Sequence, residues 1–201
     1  MRILGLTGGI ACGKSTISLT LREQGAVIID GDLLSRELTK PGGAALPAIR
    51  ARFGAEVFCP DGTLDRRALG SVVFADDQAR EALDGIMQPL LRQMIIDSIG
   101  QARQDGEQAC VLDMPLLYEK ELDPLCDRVW CAWIPRETQL ERLMARDGFT
   151  REEAEMRLAS QMDPDEKARR ANVVIDTSGS IQYTKSCVLE LYAREVSGDP
   201  C

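Results

Sequence analysis

Short apolar runs alternate with amphipathic stretches toward both ends of the chain. Ile3–Thr7, Ala26–Asp30, Ala109–Asp113, Arg128–Ile134 and Asn172–Asp176 are rich in Ile, Val or Leu and nearly continuous in hydrophobicity. Such runs suit parallel strands covered on both faces. Several end in Asp or Thr, which places polar groups at the carboxyl edge where open α/β sheets take ligands. Between the runs lie helical patterns with their own boundary signals. Lys14–Gln24 stops at Gly25, and Pro135–Asp147 stops at Gly148. Thr150–Gln161 opens with a capping box from Thr150 to Glu153. A further helix starts with Asp163 as cap, Pro164 in the first turn and Glu166 after it. Strands alternating with helices predict a doubly wound α/β fold on a five-stranded parallel sheet.

The interval 33–108 breaks this rhythm, being far longer than one crossover needs. It holds the turns Pro41-Gly42-Gly43 and Pro60-Asp61-Gly62 and helical patterns at Ala44–Phe53, Leu64–Phe74 and Gln78–Ala102. We read a single domain with its core in 1–32 and 109–201, a helical insertion at 33–108 and a lid at about 135–161. The insertion either enlarges the core or covers a substrate. Its start directly after Asp30-Gly31-Asp32 favours the second. Ser197–Cys201 is expected to be a frayed tail.

Composition narrows the chemistry. At 201 residues, 44% apolar and 28% charged, the chain is ordinary globular protein. A net charge of −8 and few aromatics argue against a nucleic-acid surface. There is no histidine, which excludes Ser-His-Asp and Cys-His catalysis and histidine zinc sites. No apolar run reaches the roughly 18 residues of a membrane span. The opening residues lack a signal-peptide pattern. The seven cysteines are odd in number and form no CxxC pair, so disulfides and thiolate metal sites are not expected. Cys110 and Cys131 fall inside strand runs, as small hydrophobes do. A reducing cytoplasm fits.

The strongest chemical signal is Gly8-Gly9-Ile10-Ala11-Cys12-Gly13-Lys14-Ser15-Thr16, which satisfies G-x-x-x-x-G-K-[ST] between a strand and a helix. Average residue usage puts a chance match in such a chain at about one in a hundred. Gly8 and Gly13 allow successive N–H groups of the loop, including those of Gly9, Ala11 and Cys12, to converge on phosphate oxygens. The helix dipole adds to that attraction. Lys14 supplies a cation to the β- and γ-phosphates, Ser15 a hydroxyl to Mg²⁺, and Thr16 a contact to the α-phosphate. No GxGxxG and no Asn-Lys-x-Asp string occurs, which disfavours a dinucleotide site and a switch GTPase.

A small kinase also needs an acceptor-side acid and arginines that close over the phosphates. Asp30 and Asp32, two apart on an extended segment, would point the same way. They either form a strand-end turn or act on an acceptor hydroxyl, with Asp32 the nearer to the insertion. Asp113 is either a strand cap or the acid that holds Mg²⁺ through water. Most of the 24 basic residues are arginine, whose planar fork grips phosphate oxygens in pairs. Arg142 and Arg146 share a helical face, as do Arg157 and Gln161. The many acids of the same segment fit a solvated, ion-paired helix equally well.

Taken together, these motifs resemble the dephospho-coenzyme A kinase family from Leu4 to about Ser180. The likeness runs through the stretch Gly5 to Thr16, Ile29-Asp-Gly-Asp32, Lys40-Pro-Gly-Gly43, Phe53-Gly54, Asp61-Gly-Thr-Leu-Asp-Arg66 and Val73-Phe74. It continues in Val111-Leu-Asp-Met-Pro-Leu-Leu-Tyr-Glu119, Gln139 to Asp147, Arg157-Leu-Ala-Ser-Gln-Met162 and Lys167. The resemblance implies a P-loop kinase with a helical CoA domain and a lid. It implies transfer of the ATP γ-phosphoryl group to the ribose 3′-hydroxyl of dephospho-CoA, with Mg²⁺. Asp32 matches the acid at the acceptor, Lys14 and Ser15 the phosphate and metal groups, and Arg142 and Arg146 lid arginines near ATP. Asp30, Pro115, Leu116, Arg157 and Gln161 fall on the substrate side. Two departures stand out. Gln88-Pro89 replaces a common His-Pro, and Thr177 stands where many members place an Asn near adenine. The other readings are a kinase for a different small metabolite and a nucleotide-binding regulator without phosphotransfer. The expected partners are ATP and dephospho-CoA, on a monomer or weak homo-oligomer.

Overall fold

β1 (Arg2–Gly8) is the middle strand of a sheet ordered β2 (Val27–Asp30), β3 (Ala109–Asp113), β1, β4 (Arg128–Trp133), β5 (Val173–Asp176). β1 pairs in parallel with β3 and β4, and β4 with β5. The computed structural model describes residues 1–197. The tail expected over Ser197–Cys201 falls outside them, apart from Ser197 at the end of the last helix.

The side-chain alternation of β1 decides what covers each face. Leu4 and Leu6 enter a buried apolar cluster with Val111, Trp130 and Ala132 from neighbouring strands. Ile17 and Leu21 of α1 (Lys14–Glu23) and Val188 and Tyr192 of α9 (Ile181–Ser197) close that cluster. On the opposite face, a Cβ at Gly5 would lie 2.9 Å from both Leu117 and Cys126. The missing side chain lets the segment after β3 lie against the sheet. Continuous hydrophobicity predicted cover on both faces for all five strands. That holds for β1, β3 and β4 but not for the edges: β2 is only partly buried, and Val174 of β5 is 47% exposed.

The chain forms two compact units, one of Met1–Ile29 with Ile99–Cys201 and one of Asp30–Ser98. The second is helical: α2 (Gly31–Leu38), α3 (Leu46–Phe53), α4 (Arg66–Ala75) and most of α5 (Asp77–Gln104). Ile49, Phe53, Val57 and Leu69 are among its buried residues. Asp65 caps α4 by accepting from the Arg67 and Ala68 N–H groups. The remaining helices are α6 (Arg136–Asp147), α7 (Arg151–Ala159) and α8 (Pro164–Arg170). Both anticipated caps are present: the Thr150–Glu153 box opens α7, and Asp163 receives the Asp165 and Glu166 N–H groups.

The structure corrects the reading of Asp30-Gly31-Asp32. The backbone turns into α2 at Gly31, so the two carboxylates are not alternate residues of one extended strand. Asp30 is the N-cap, and its Oδ1 accepts from the Asp32 and Leu33 N–H groups at 2.9 and 3.0 Å. Local capping won over strand alternation because Asp followed by Gly offers the backbone that alternative.

Candidate active site

β1 hands directly to the phosphate loop, and α1 begins at Lys14. Gly13, its N-cap, has φ 74°, a left-handed conformation that an L side chain resists. A Cβ there would also sit 3.1 Å from the Thr177 hydroxyl. α1 carries no acid in its first turn, so its positive end faces the loop undiminished. Ala11, Gly13, Ser15, Thr16, Arg142 and Arg146 line a cavity of about 430 Å³, within the usual range for small-ligand sites. Gly8, Gly9 and Cys12 belong to the same loop but do not line the cavity. Cys12 is buried, and desolvation pushes its thiol up to about 11 against the pull of nearby cations.

Lys14 and Asp113 were read as separate groups, a phosphate cation and a metal acid or strand cap. The structure joins them: the Lys14 ammonium is salt-bridged to Asp113 Oδ1 at the end of β3. The Ser15 side chain is exposed at the mouth of the loop.

Arg142 and Arg146 do share a face of α6 and reach the same cavity. Arg142 donates to the Thr177 and Ser178 carbonyls at 2.9 and 3.3 Å. Arg146 makes a two-pronged contact to Asp147, which raises the guanidinium pKa and holds the Asp147 carboxyl below the usual carboxylate range. The pairing of Arg157 with Gln161 does not survive. Arg157 lies over the Phe149 ring at 4.1 Å. Gln161 follows the end of α7 at Ala159, and its Oε1 accepts from the Ile10 N–H. The helical period does not extend through Ser160, the C-cap.

Thr177 lines the same cavity, but its hydroxyl donates to the Cys12 carbonyl at 2.7 Å. The side chain is spent on the loop. Pro115 contributes its carbonyl, which accepts from the Thr7 hydroxyl at 3.0 Å and from Lys167 Nζ at 2.5 Å. Leu116 is half-buried beside it. Asp32 is exposed in the first turn of α2.

Sequence reasoning missed two features. Lys167 is fully buried and ion-paired to Glu119 Oε1 at 2.8 Å, an atom that also accepts from the Met162 N–H. Gln139 is 1% exposed and donates to the Ile10 carbonyl at 2.7 Å. Lys167 had only its place in the family-like run as a signal, and Gln139, in a charged helix, had none beyond that.

A family model described as dephospho-CoA kinase matches residues 2–183. The chain belongs to the dephospho-CoA kinase family. A dephospho-CoA kinase of Symbiobacterium thermophilum is 48% identical over 199 residues, covering 99% of this chain and 83% of that relative. One of Geobacter sulfurreducens is 45% identical, covering 96% of this chain and 98% of the relative. The solved structure of the dephospho-CoA kinase from Campylobacter jejuni matches with a TM-score of 0.76 at 25% identity, each chain covered in full (100%).

Within this family member, no cluster of three or more His, Cys, Asp or Glu side chains among the described residues could hold a metal. The Ser15 hydroxyl lines the cavity and the Asp113 carboxylate, paired with Lys14, is a second hard oxygen donor of the site. That sparse set suits a divalent ion that arrives with nucleotide phosphates, not one caged by protein. Among the described residues no helix is long and apolar enough to cross a membrane.

Proposed function

We propose that this chain transfers the γ-phosphoryl group of ATP to the ribose 3′-hydroxyl of dephospho-CoA, giving CoA and ADP. The observation that carries the reading is the convergence of Ala11, Gly13, Ser15 and Thr16 of the loop and its helix with Arg142 and Arg146 on one cavity in a member of this family. The residues Gly8, Gly9, Ala11, Cys12, Gly13 and Thr16 provide the backbone and helix-end cradle for the triphosphate. Lys14 offsets negative charge on the transferring group, and Asp113 holds the ammonium in place. Arg142, fixed by two carbonyls, presents its remaining donors to the phosphates. Arg146 joins it from the next turn of α6 and exchanges Asp147 for phosphate oxygen.

Ser15 and Asp113 would hold Mg²⁺, which when bound would neutralise charge on the nucleotide phosphates. Asp32 is assigned to the acceptor: exposed at the carboxyl end of β2, it orients or deprotonates the 3′-hydroxyl. Asp30 acts through it by capping α2. Pro115, Leu116 and Arg157 are assigned to acceptor contacts, and Thr177 to the adenine side of the cavity. The enzyme would work in the cytoplasm on two small-molecule substrates, as a monomer or weak homo-oligomer.

The test is ADP release by the purified protein with dephospho-CoA, AMP, gluconate and shikimate as acceptors. The reading predicts a kcat/KM for dephospho-CoA at least a hundredfold above the others. Equal rates across the panel would reject it.

A further inference from the structure

Both peptide groups of Ile10, at the apex of the phosphate loop, are held by side-chain amides from outside the loop. Gln161 Oε1 accepts from the Ile10 N–H at 3.0 Å, and Gln139 Nε2 donates to the Ile10 carbonyl at 2.7 Å. The two glutamines come from different elements, α6 and the turn after α7. The apolar contacts repeat the connection. Ile10 and Ala11 pack against the cluster of Leu140, Leu143, Ala154 and Leu158 that joins α6 to α7.

Planarity of the peptide group turns these two bonds into a statement about the cradle. In a trans peptide the carbonyl and the following N–H point in opposite directions. Fixing the Ile10 carbonyl toward Gln139 therefore turns the Ala11 N–H the other way, and Ala11 lines the nucleotide cavity. Fixing the Ile10 N–H on Gln161 turns the Gly9 carbonyl away from it, where it accepts from the Cys12 N–H at 3.1 Å. Ala11 itself has φ 61°, a left-handed conformation that a residue with a Cβ keeps only when its surroundings impose it. The two amides supply that constraint. Gly9 fits the same picture, since a Cβ there would fall 2.5 Å from Gln139 Nε2.

We propose that Gln139 and Gln161 are positioning residues that preset the Ile10 and Ala11 peptides for triphosphate binding, making the hairpin 135–161 the external frame of the loop. Gln161 was assigned to substrate from sequence; the geometry gives it the loop instead. The frame has a polarity: position 161 must offer an acceptor and position 139 a donor. Without it, the loop orders only when nucleotide arrives, and affinity falls by that cost. This rests on the reading that the loop binds ATP, not on the identity of the acceptor.

The test is equilibrium binding of a fluorescent ATP analogue, with no acceptor present, to the wild type and to Gln139→Met, Gln161→Met and Gln161→Glu. Methionine keeps the volume and removes the hydrogen bond. Each Met variant is expected to weaken binding about tenfold, while its KM for the acceptor stays within twofold. Gln161→Glu keeps an acceptor and is expected to bind more tightly than Gln161→Met despite its added negative charge. Unchanged affinity in both Met variants, an equal rise in both substrates' KM values, or Glu no better than Met at 161 would overturn the proposal. Should Gln139→Met fail to fold, the two variants at 161 still decide. A wild type that binds no ATP would instead defeat the reading of the loop itself.

Discussion

The Thr177 hydroxyl donates to the main-chain carbonyl of Cys12 at 2.7 Å, fastening the turn after β5 to the phosphate loop. Thr177 is buried, and its own carbonyl receives Arg142. One residue thus ties the loop to an arginine of the cavity. Replacing Thr177 with Val keeps the shape and leaves the Cys12 carbonyl unpartnered. The expected cost is about 1–3 kcal/mol, read as a fall in Tm of roughly 2–4 °C per kcal/mol, together with a higher KM for ATP. An unchanged Tm and KM would show that the contact is incidental.

Lys14 and Asp113 form a partly buried ion pair. Lys14→Met removes the phosphate cation and strands a carboxylate that is 8% exposed. Loss of such a preorganised charge typically costs about 10²–10³ in kcat, and ATP affinity should drop as well. Rapid-quench and binding measurements check this. Near-normal ATP affinity would count against the loop assignment.

Asp32 is assigned to the acceptor, so its effects should separate from those of Lys14. Asp32→Asn is expected to lower kcat by about 10²–10⁴ while leaving ATP affinity within a few fold. Turnover at the wild-type level would remove the role.

The Lys167–Glu119 pair is a structural prediction. Lys167 has no exposed side-chain surface and its ammonium also holds the Pro115 carbonyl. Removing one member of a buried pair costs about 3–5 kcal/mol. Lys167→Met should therefore be far less stable than the wild type. The double variant with Glu119→Gln should recover part of the loss, as a denaturation cycle would reveal. Additive losses would show that the pair is not coupled.

Burial pushes the thiol of Cys110 up to about 11, those of Cys126 and Cys131 up to about 12, and the Tyr118 hydroxyl up to about 12. These groups ionise more readily in the unfolded chain than in the folded one. Their neutral burial is therefore fully favourable below about pH 8.5. Stability is lost as pH rises from there through the folded-state values. A plot of Tm against pH should be flat near pH 7–8 and fall above pH 9. The Cys131→Val variant should fall less steeply. Equal slopes would show that Cys131 takes no part.

The strand segments and the phosphate loop were legible in the sequence because both are local. β3 was predicted at its observed bounds, Ala109–Asp113, since its apolar run is bracketed by polar residues. The Thr150 box and the Asp163 cap were readable for the same reason. α2 was hidden, because Asp-Gly-Asp is equally good turn chemistry, and only the structure shows Asp30 capping a helix. α9 was overlooked as well. The pairings Lys14–Asp113, Gln139–Ile10 and Lys167–Glu119 link residues far apart in the chain. No spacing rule reaches them.

The most direct test of the account is the position of the new phosphate. Phosphorus NMR of a reaction with ATP and dephospho-CoA should show one new phosphomonoester, coupled to the ribose 3′ proton, rising in step with ADP. ADP accompanied only by inorganic phosphate, or a phosphoester on another oxygen, would contradict it.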